Sequence, residues 1–178
     1  MGIRDFTKTW WEKRLLNGLE AWLIRLRATE HDAANRFQLA LDTWPVDDKE
    51  SRDVFVEIME DERRHSAMVE RVLVEREIQF PAIPTTGRER YWEQVWPHVT
   101  GFKLACASLA LGETLAIVRF RVIAAHPKTP EYVRSLVNEI IPDEERHINN
   151  LSRLAGVRSL NFMKKYHKLG MKAINIVS

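Results

Sequence analysis

The feature that most limits what this chain can become is a repeated step of glutamate and histidine on apolar helical stripes. It occurs at Glu62 and His65 and again at Glu144 and His147. A spacing of three puts both side chains on one face of a helix. With 17 Glu and 6 His in 178 residues, chance supplies roughly half of one such match. Two matches, each on a stripe that is otherwise apolar, ask for a physical reason. Reading in steps of three and four gives four stripes. The first is Leu19, Leu23, Leu26, Glu30, Ala33, Phe37, and the second is Phe55, Ile58, Glu62, His65, Val69, Val72. The third is Phe102, Cys106, Leu109, Glu113, Ala116, Phe120, and the fourth is Val133, Val137, Ile140, Glu144, His147, Leu151. Each is apolar until mid-helix and then holds one glutamate.

A buried carboxylate must be paired, hydrogen-bonded or bound to metal. Four glutamates at one level of a bundle would repel one another. Two divalent cations would neutralise them, and two neutral imidazoles would complete the set. A glutamate from each of two helices plus Glu-x-x-His from each of the other two is the ligand pattern of di-iron and di-manganese bundles. The expected metal ligands are therefore Glu30, Glu62, His65, Glu113, Glu144 and His147. The halves repeat: Glu30 to Glu62 is 32 residues and Glu113 to Glu144 is 31, as for a duplicated helical hairpin. The competing reading is an ordinary bundle whose buried acids are neutralised by arginines.

The boundaries follow from breakers and caps. The first long helix is expected over about 17–43, ended by Trp44-Pro45, with a shorter amphipathic piece containing Trp10 and Trp11 before it. Asp47 and Asp48 cap a second helix reaching about Ile78. Residues 80–87 read as a loop. Helix resumes near Arg88, is broken or kinked at Pro97, and a third long helix runs to Ala125. Thr129 caps a fourth that starts at Pro130 and ends near Gly156, and Pro142 predicts a kink or a restart beside Glu144. A basic amphipathic helix follows over about 158–176. The expected architecture is all-α, an antiparallel four-helix bundle with extra terminal helices, and 1–178 as one domain with the bundle core at about 17–156.

Asp61 and Asp143 each precede a ligand glutamate in the repeated pattern D-E-x-R-H. A metal-bound histidine needs its other ring nitrogen held by an acceptor. Each Asp is rotated about 100° from the metal-facing direction, towards a neighbouring helix. Asp61 is therefore expected on His147 and Asp143 on His65, with Arg64 and Arg146 placed to pair with the aspartates. The alternative is a set of surface ion pairs.

Two segments resemble the ferritin-like superfamily. Residues 30–37, EHDAANRF, are similar to the first-helix segment of rubrerythrins, E-x-x-A-x-N-R-[YF]. The repeated D-E-x-R-H resembles the motif of bacterial multicomponent monooxygenases and acyl-carrier-protein desaturases. The compact size is similar to that of demethoxyubiquinone hydroxylases. The resemblance covers about residues 20–155. It implies a ferritin-like fold, two iron ions (manganese or a mixed pair being the variants), and Glu62 and Glu144 as the bridging carboxylates. It implies O2 activation to oxidise or hydroxylate a small organic substrate, with Glu30, Glu62, Glu113 and Glu144 as the catalytic carboxylates. The alternative is a peroxide-detoxifying or ferroxidase-type protein. Where rubrerythrins carry a further Glu one turn after the third-helix ligand, this chain has Ala116, and the rubredoxin-like cysteine domain is absent.

Cys106 is the one cysteine, so an internal disulfide or a thiolate metal site is excluded. On its stripe it reads as a small buried hydrophobe. Without a cysteine or flavin motif, electrons are expected from an external donor or from the substrate. His31, His98, His126 and His167 lack ligand partners at helical spacing and read as surface residues. Tyr91, Tyr132 and Tyr166 are far in sequence from the ligand turns, which argues against a stable tyrosyl radical. No acid follows Glu145, and six bases lie from Arg153 onward, leaving 21 bases against 25 acids elsewhere (27 less six). This tail is read as a solvated face or as a peripheral membrane contact through Met163, Tyr166, Met171 and Ile174; nucleic acid is not an expected partner. Phe6, Trp10 and Trp11 are read as a membrane contact, a homodimer contact or a cap on the bundle. The start of the chain shows no signal core, and the expected location is cytoplasmic.

Overall fold

The computed structural model describes residues 2–82 and 89–174. Among them are six α-helices, one 3-10 turn and no strand. The elements are α1 (Ile3–Leu16), α2 (Leu19–Thr43), α3 (Lys49–Glu75), α4 (Glu89–Val95), the 3-10 turn Trp96–His98, α5 (Phe102–Ala125) and α6 (Glu131–Ala173). Two hairpins form the body. Helix α2 lies antiparallel on α3, tied by Arg27 to Glu70 at one end and by the Phe37–Phe55 ring pair at the other. Helix α5 lies antiparallel on α6, tied by Arg121 to Glu145 and by Arg134 to the Ala124 carbonyl. The hairpins meet along α3 and α6, where Glu50 pairs with Arg153 and Glu57 with Arg146.

The stripes account for this packing. They bury two separate apolar clusters with the polar layer between them. Phe37, Phe55, Ile58, Cys106, Leu109 and Leu151 belong to one cluster. Leu23, Leu26, Val69, Ala116, Phe120 and Ile140 belong to the other. On every long helix the glutamate falls where the stripe passes from one cluster to the other.

The ends differ from the expected ones in places, each for a local reason. Helix α2 starts at Leu19 because Gly18 sits at φ 123°, outside helical space. Asp48 is the α3 cap, its Oδ1 accepting from the Ser51 amide at 2.7 Å. Helix α3 stops at Glu75 and not at Ile78. Glu77 takes the left-handed conformation at φ 54°, and the Ile78 and Glu77 amides donate to the Leu73 and Val74 carbonyls, a Schellman closure without glycine. Pro97 sits within the 3-10 turn and makes the expected break, and the third long helix is α5 beyond it. The expected loop over 80–87 is non-helical at residues 80–82, and 83–87 lie outside the described residues.

Thr129 is not the α6 cap: Pro130 holds that position with no side-chain cap. The Thr129 hydroxyl instead donates to the Ile123 carbonyl and accepts from Trp11 Nε1, both at 2.7 Å. Trp11 is fully buried and packs edge-on to Trp22, while Phe6 and Trp10 are partly buried against the core, so α1 packs alongside α2 and α5 against both apolar clusters. Pro142 does not restart the helix: α6 keeps helical φ/ψ through it, with Pro142 on the exposed side. The break comes at Gly156, whose φ of 72° and ψ of 157° leave the helix. Helix resumes beyond it and runs to Ala173, so the fourth helix ends near Gly156 and the basic helix follows it, as expected.

Candidate metal centre

Glu30 comes from α2, Glu62 and His65 from α3, Glu113 from α5, and Glu144 and His147 from α6. All six are buried, and Glu62, His65, Glu144 and His147 are wholly inaccessible. Glu30, Glu62, His65 and Glu144 each bring a ligand atom within 4.8 Å of the others, a buried group able to hold a metal ion. Glu113 and His147 adjoin this group. Glu113 acts electrostatically on both Glu144 and His147. His147 Nδ1 lies 3.3 Å from Glu62 Oε1.

The histidines are oriented alike. His65 Nδ1 faces inward, 3.9 Å from Glu62 Oε2 and 3.8 Å from Glu144 Oε1. Outward, His65 Nε2 is 3.1 Å from Asp143 Oδ2, and His147 Nε2 is 3.1 Å from Asp61 Oδ2. The partners are crossed between α3 and α6, as the rotation of each Asp from its neighbouring Glu predicts. Arg64 bonds both Asp61 and Asp143, and Arg146 also bonds both. The result is a ring of two acids and two bases over the α3–α6 seam. Glu57, bonded to Arg146 at 2.9 Å, extends it. The sequence reading did not single out Glu57, whose only signal is its place one turn before Asp61.

The acids respond to this setting in opposite ways. Burial works against ionising Glu62, but the imidazoles of His147 and His65 outweigh it and hold the carboxyl down to about 2. Burial raises Glu144 well above the usual carboxylate range, reinforced by Glu113, Glu62 and Glu30. Asp61 and Asp143 are held low despite partial burial, by the arginines and the histidines. An inner layer crowded with negative charge is thus enclosed by outer acids that are already neutralised.

Both carboxylate oxygens of Glu62 and of Glu144, and the Nδ1 atoms of His65 and His147, are buried without a hydrogen bond. Such atoms are costly to bury unsatisfied. They are oxygens and imidazole nitrogens, the donors that suit iron, manganese or zinc. The donor set therefore fits a metal. Arg64 and Arg146 bind the outer aspartates Asp61 and Asp143.

The remaining candidates separate. Cys106 is fully buried and burial pushes its thiol up to about 12, as for an inert core residue. His31 is exposed, but three histidines expected on the surface are not. His126 is buried beside Glu12 at 3.5 Å. His98 is half-buried and stacked on Tyr166. His167 Nδ1 shares a 2.7 Å hydrogen bond with the Tyr91 hydroxyl. No family model, curated protein or solved structure matches the chain.

Proposed function

We propose that the chain is a ferritin-like four-helix bundle holding two metal ions, with iron the first candidate, and that it activates O2 to oxidise or hydroxylate a small organic substrate. One observation carries the reading: six donor atoms on four residues are buried, converge from two hairpins and have no protein hydrogen-bond partner. Two cations balance the four glutamates Glu30, Glu62, Glu113 and Glu144, with His65 and His147 completing the ligand set. Bound redox-active ions would supply electrons and open coordination positions for O2 or peroxide.

The chain's own residues do the rest. Glu62 lies near both inward imidazole nitrogens and Glu144 lies 3.8 Å from that of His65, which supports a shared, bridging role for these two carboxylates. Asp61 and Asp143 fix which imidazole nitrogen faces inward, and a carboxylate there makes the inward nitrogen a better donor. Arg64 and Arg146 keep those aspartates ionised. The apolar clusters on either side keep water out. An external donor supplies the electrons.

Anaerobic loading with Fe(II) or Mn(II), followed by metal analysis, is expected to give two ions per chain. One ion or none with both metals would overturn the proposal. Optical changes on exposure to O2, coupled to oxidation of an organic substrate, are the expected sequel. Peroxide consumption or iron oxidation without organic product would assign the peroxide-detoxifying or ferroxidase alternative instead.

A further inference from the structure

We propose that the outward face of α6 beyond Gly156, residues 157–173, docks on an anionic membrane surface. The apolar face expected for that role is not the one available. Met163 and Met171 are buried, and Tyr166 and Ile174 pack against the same core cluster as Tyr91 and Trp92 of α4. The exposed face is different. It carries Arg158, Lys164, Lys165, Lys168 and Lys172, all exposed. At 100° per residue these five bases fall in an arc of roughly 120°. Phe162 and Leu169 flank one edge of it, 45% and 47% exposed.

This face is set apart by a run of bases with no acid near it in the chain. Arg27, Arg36, Lys49, Arg121, Arg134, Arg146 and Arg153 each meet an acid. Among the described residues, none of the five bases in the arc forms an ion pair. No acid follows Glu145 in the chain. Lys165 Nζ sits 5.1 Å over the Phe162 ring and 4.5 Å over Tyr166, so its stem already lies along apolar surface.

A stretch of 17 helical residues is a rod of roughly 25 Å. One with a basic face and an aromatic and an aliphatic side chain at its edge suits the plane of a headgroup layer. Lysine stems reach along apolar surface while their ammonium groups stay at the phosphates. Each base near an anionic bilayer is worth roughly five-fold in partitioning. The same helix is too polar to insert: among the described residues, no helix is long and apolar enough to cross a membrane. The proposal does not depend on the metal reading.

Full-length protein is co-sedimented with phosphatidylcholine vesicles and with mixed phosphatidylcholine–phosphatidylglycerol vesicles, at low and high salt. Binding is expected to the mixed vesicles at low salt only. Lys165→Gln, Lys168→Gln and Lys172→Gln together should weaken it roughly a hundred-fold. Phe162→Ala with Leu169→Ala should weaken it at unchanged charge. Lys49→Gln, Lys103→Gln and Lys128→Gln together, an equal charge change elsewhere on the surface, should leave it near wild type. Circular dichroism checks that each variant keeps its helix content. Wild-type protein that stays in the supernatant with the mixed vesicles at low salt overturns the proposal, even if it binds an acidic polypeptide. So does a triple lysine variant from the arc that binds like wild type.

Discussion

His147 reaches from α6 to α3 and lies between two consecutive acids there: its Nε2 is 3.1 Å from Asp61 Oδ2, and its Nδ1 is 3.3 Å from Glu62 Oε1. The outer contact has hydrogen-bond geometry and the inner one does not. Asp61 therefore holds the ring while the inner nitrogen stays free for another partner. Asp61→Asn should keep the fold, because Arg64 still spans the seam to Asp143 and Arg146 still spans it to Glu57. It should weaken metal binding about 10–100-fold. A metal titration that gives wild-type affinity for the variant would count against the role of Asp61.

Glu113 tests the ligand assignment on α5. Glu113→Ala should lower metal content, whereas Glu93→Ala and Glu131→Ala should not, because Glu93 and Glu131 are exposed on α4 and α6. Equal content in the three purified variants would remove Glu113 from the ligand set.

Glu144 lies beside other acids in a dry layer, and burial and those acids together disfavour its charge. In chelator, Glu144→Gln should raise the melting temperature, by about 2–4 °C for each kcal/mol of relieved repulsion. With metal present the order should reverse, since the wild type gains binding energy that the variant loses. Thermal melts with and without metal check both signs. A variant less stable than wild type in chelator would mean that the cluster is not strained by its acids.

Gly170 faces Tyr91 at close quarters. A Cβ there would lie 2.5 Å from Tyr91 Cδ2 and 3.1 Å from the Tyr91 carbonyl oxygen. In an open helix Gly→Ala stabilises by roughly 0.5–1 kcal/mol. Here overpacking of about 1–3 kcal/mol should win, because one of the opposed atoms is backbone. Gly170→Ala should therefore lower the melting temperature. An increase would show that α4 can shift away from α6 at little cost.

His167 gives a pH dependence separate from the metal layer. Burial pushes it from its usual 6.5 down to about 4, and its Nδ1 lies 2.7 Å from the Tyr91 hydroxyl. Below pH 6.5 the unfolded chain takes up a proton that the native ring refuses. Stability is therefore whole above 6.5, falls as the pH falls towards 4, and loses no more from this group below that. His167→Gln should lose less stability than wild type between pH 7 and 5, by urea denaturation. Equal losses would exclude His167 as the source.

The stripes, the six candidate ligands and the near-equal spacing of the two half-sites were legible in the chain itself. Helical periodicity is local, so a glutamate on an apolar stripe declares its burial wherever the helix goes. The same holds for Asp61 and Asp143, since one residue's rotation from a buried glutamate points towards a neighbouring helix. What lay beyond the sequence is what covers each face. Met163 and Met171 read as an apolar face free for a membrane, but α4 folds back over them and leaves the lysines outside. His126 and His167 have no partner at helical spacing, yet Glu12 and Tyr91 meet them from more than 70 residues away. Thr129 has the chemistry of a cap, but the indole of Trp11 competes for its hydroxyl. Pro142 does not restart the helix, since α6 keeps helical φ/ψ through it. Burial is written in the periodicity of one helix, but the identity of the covering group depends on contacts between distant segments, and these exist only once the hairpins have packed.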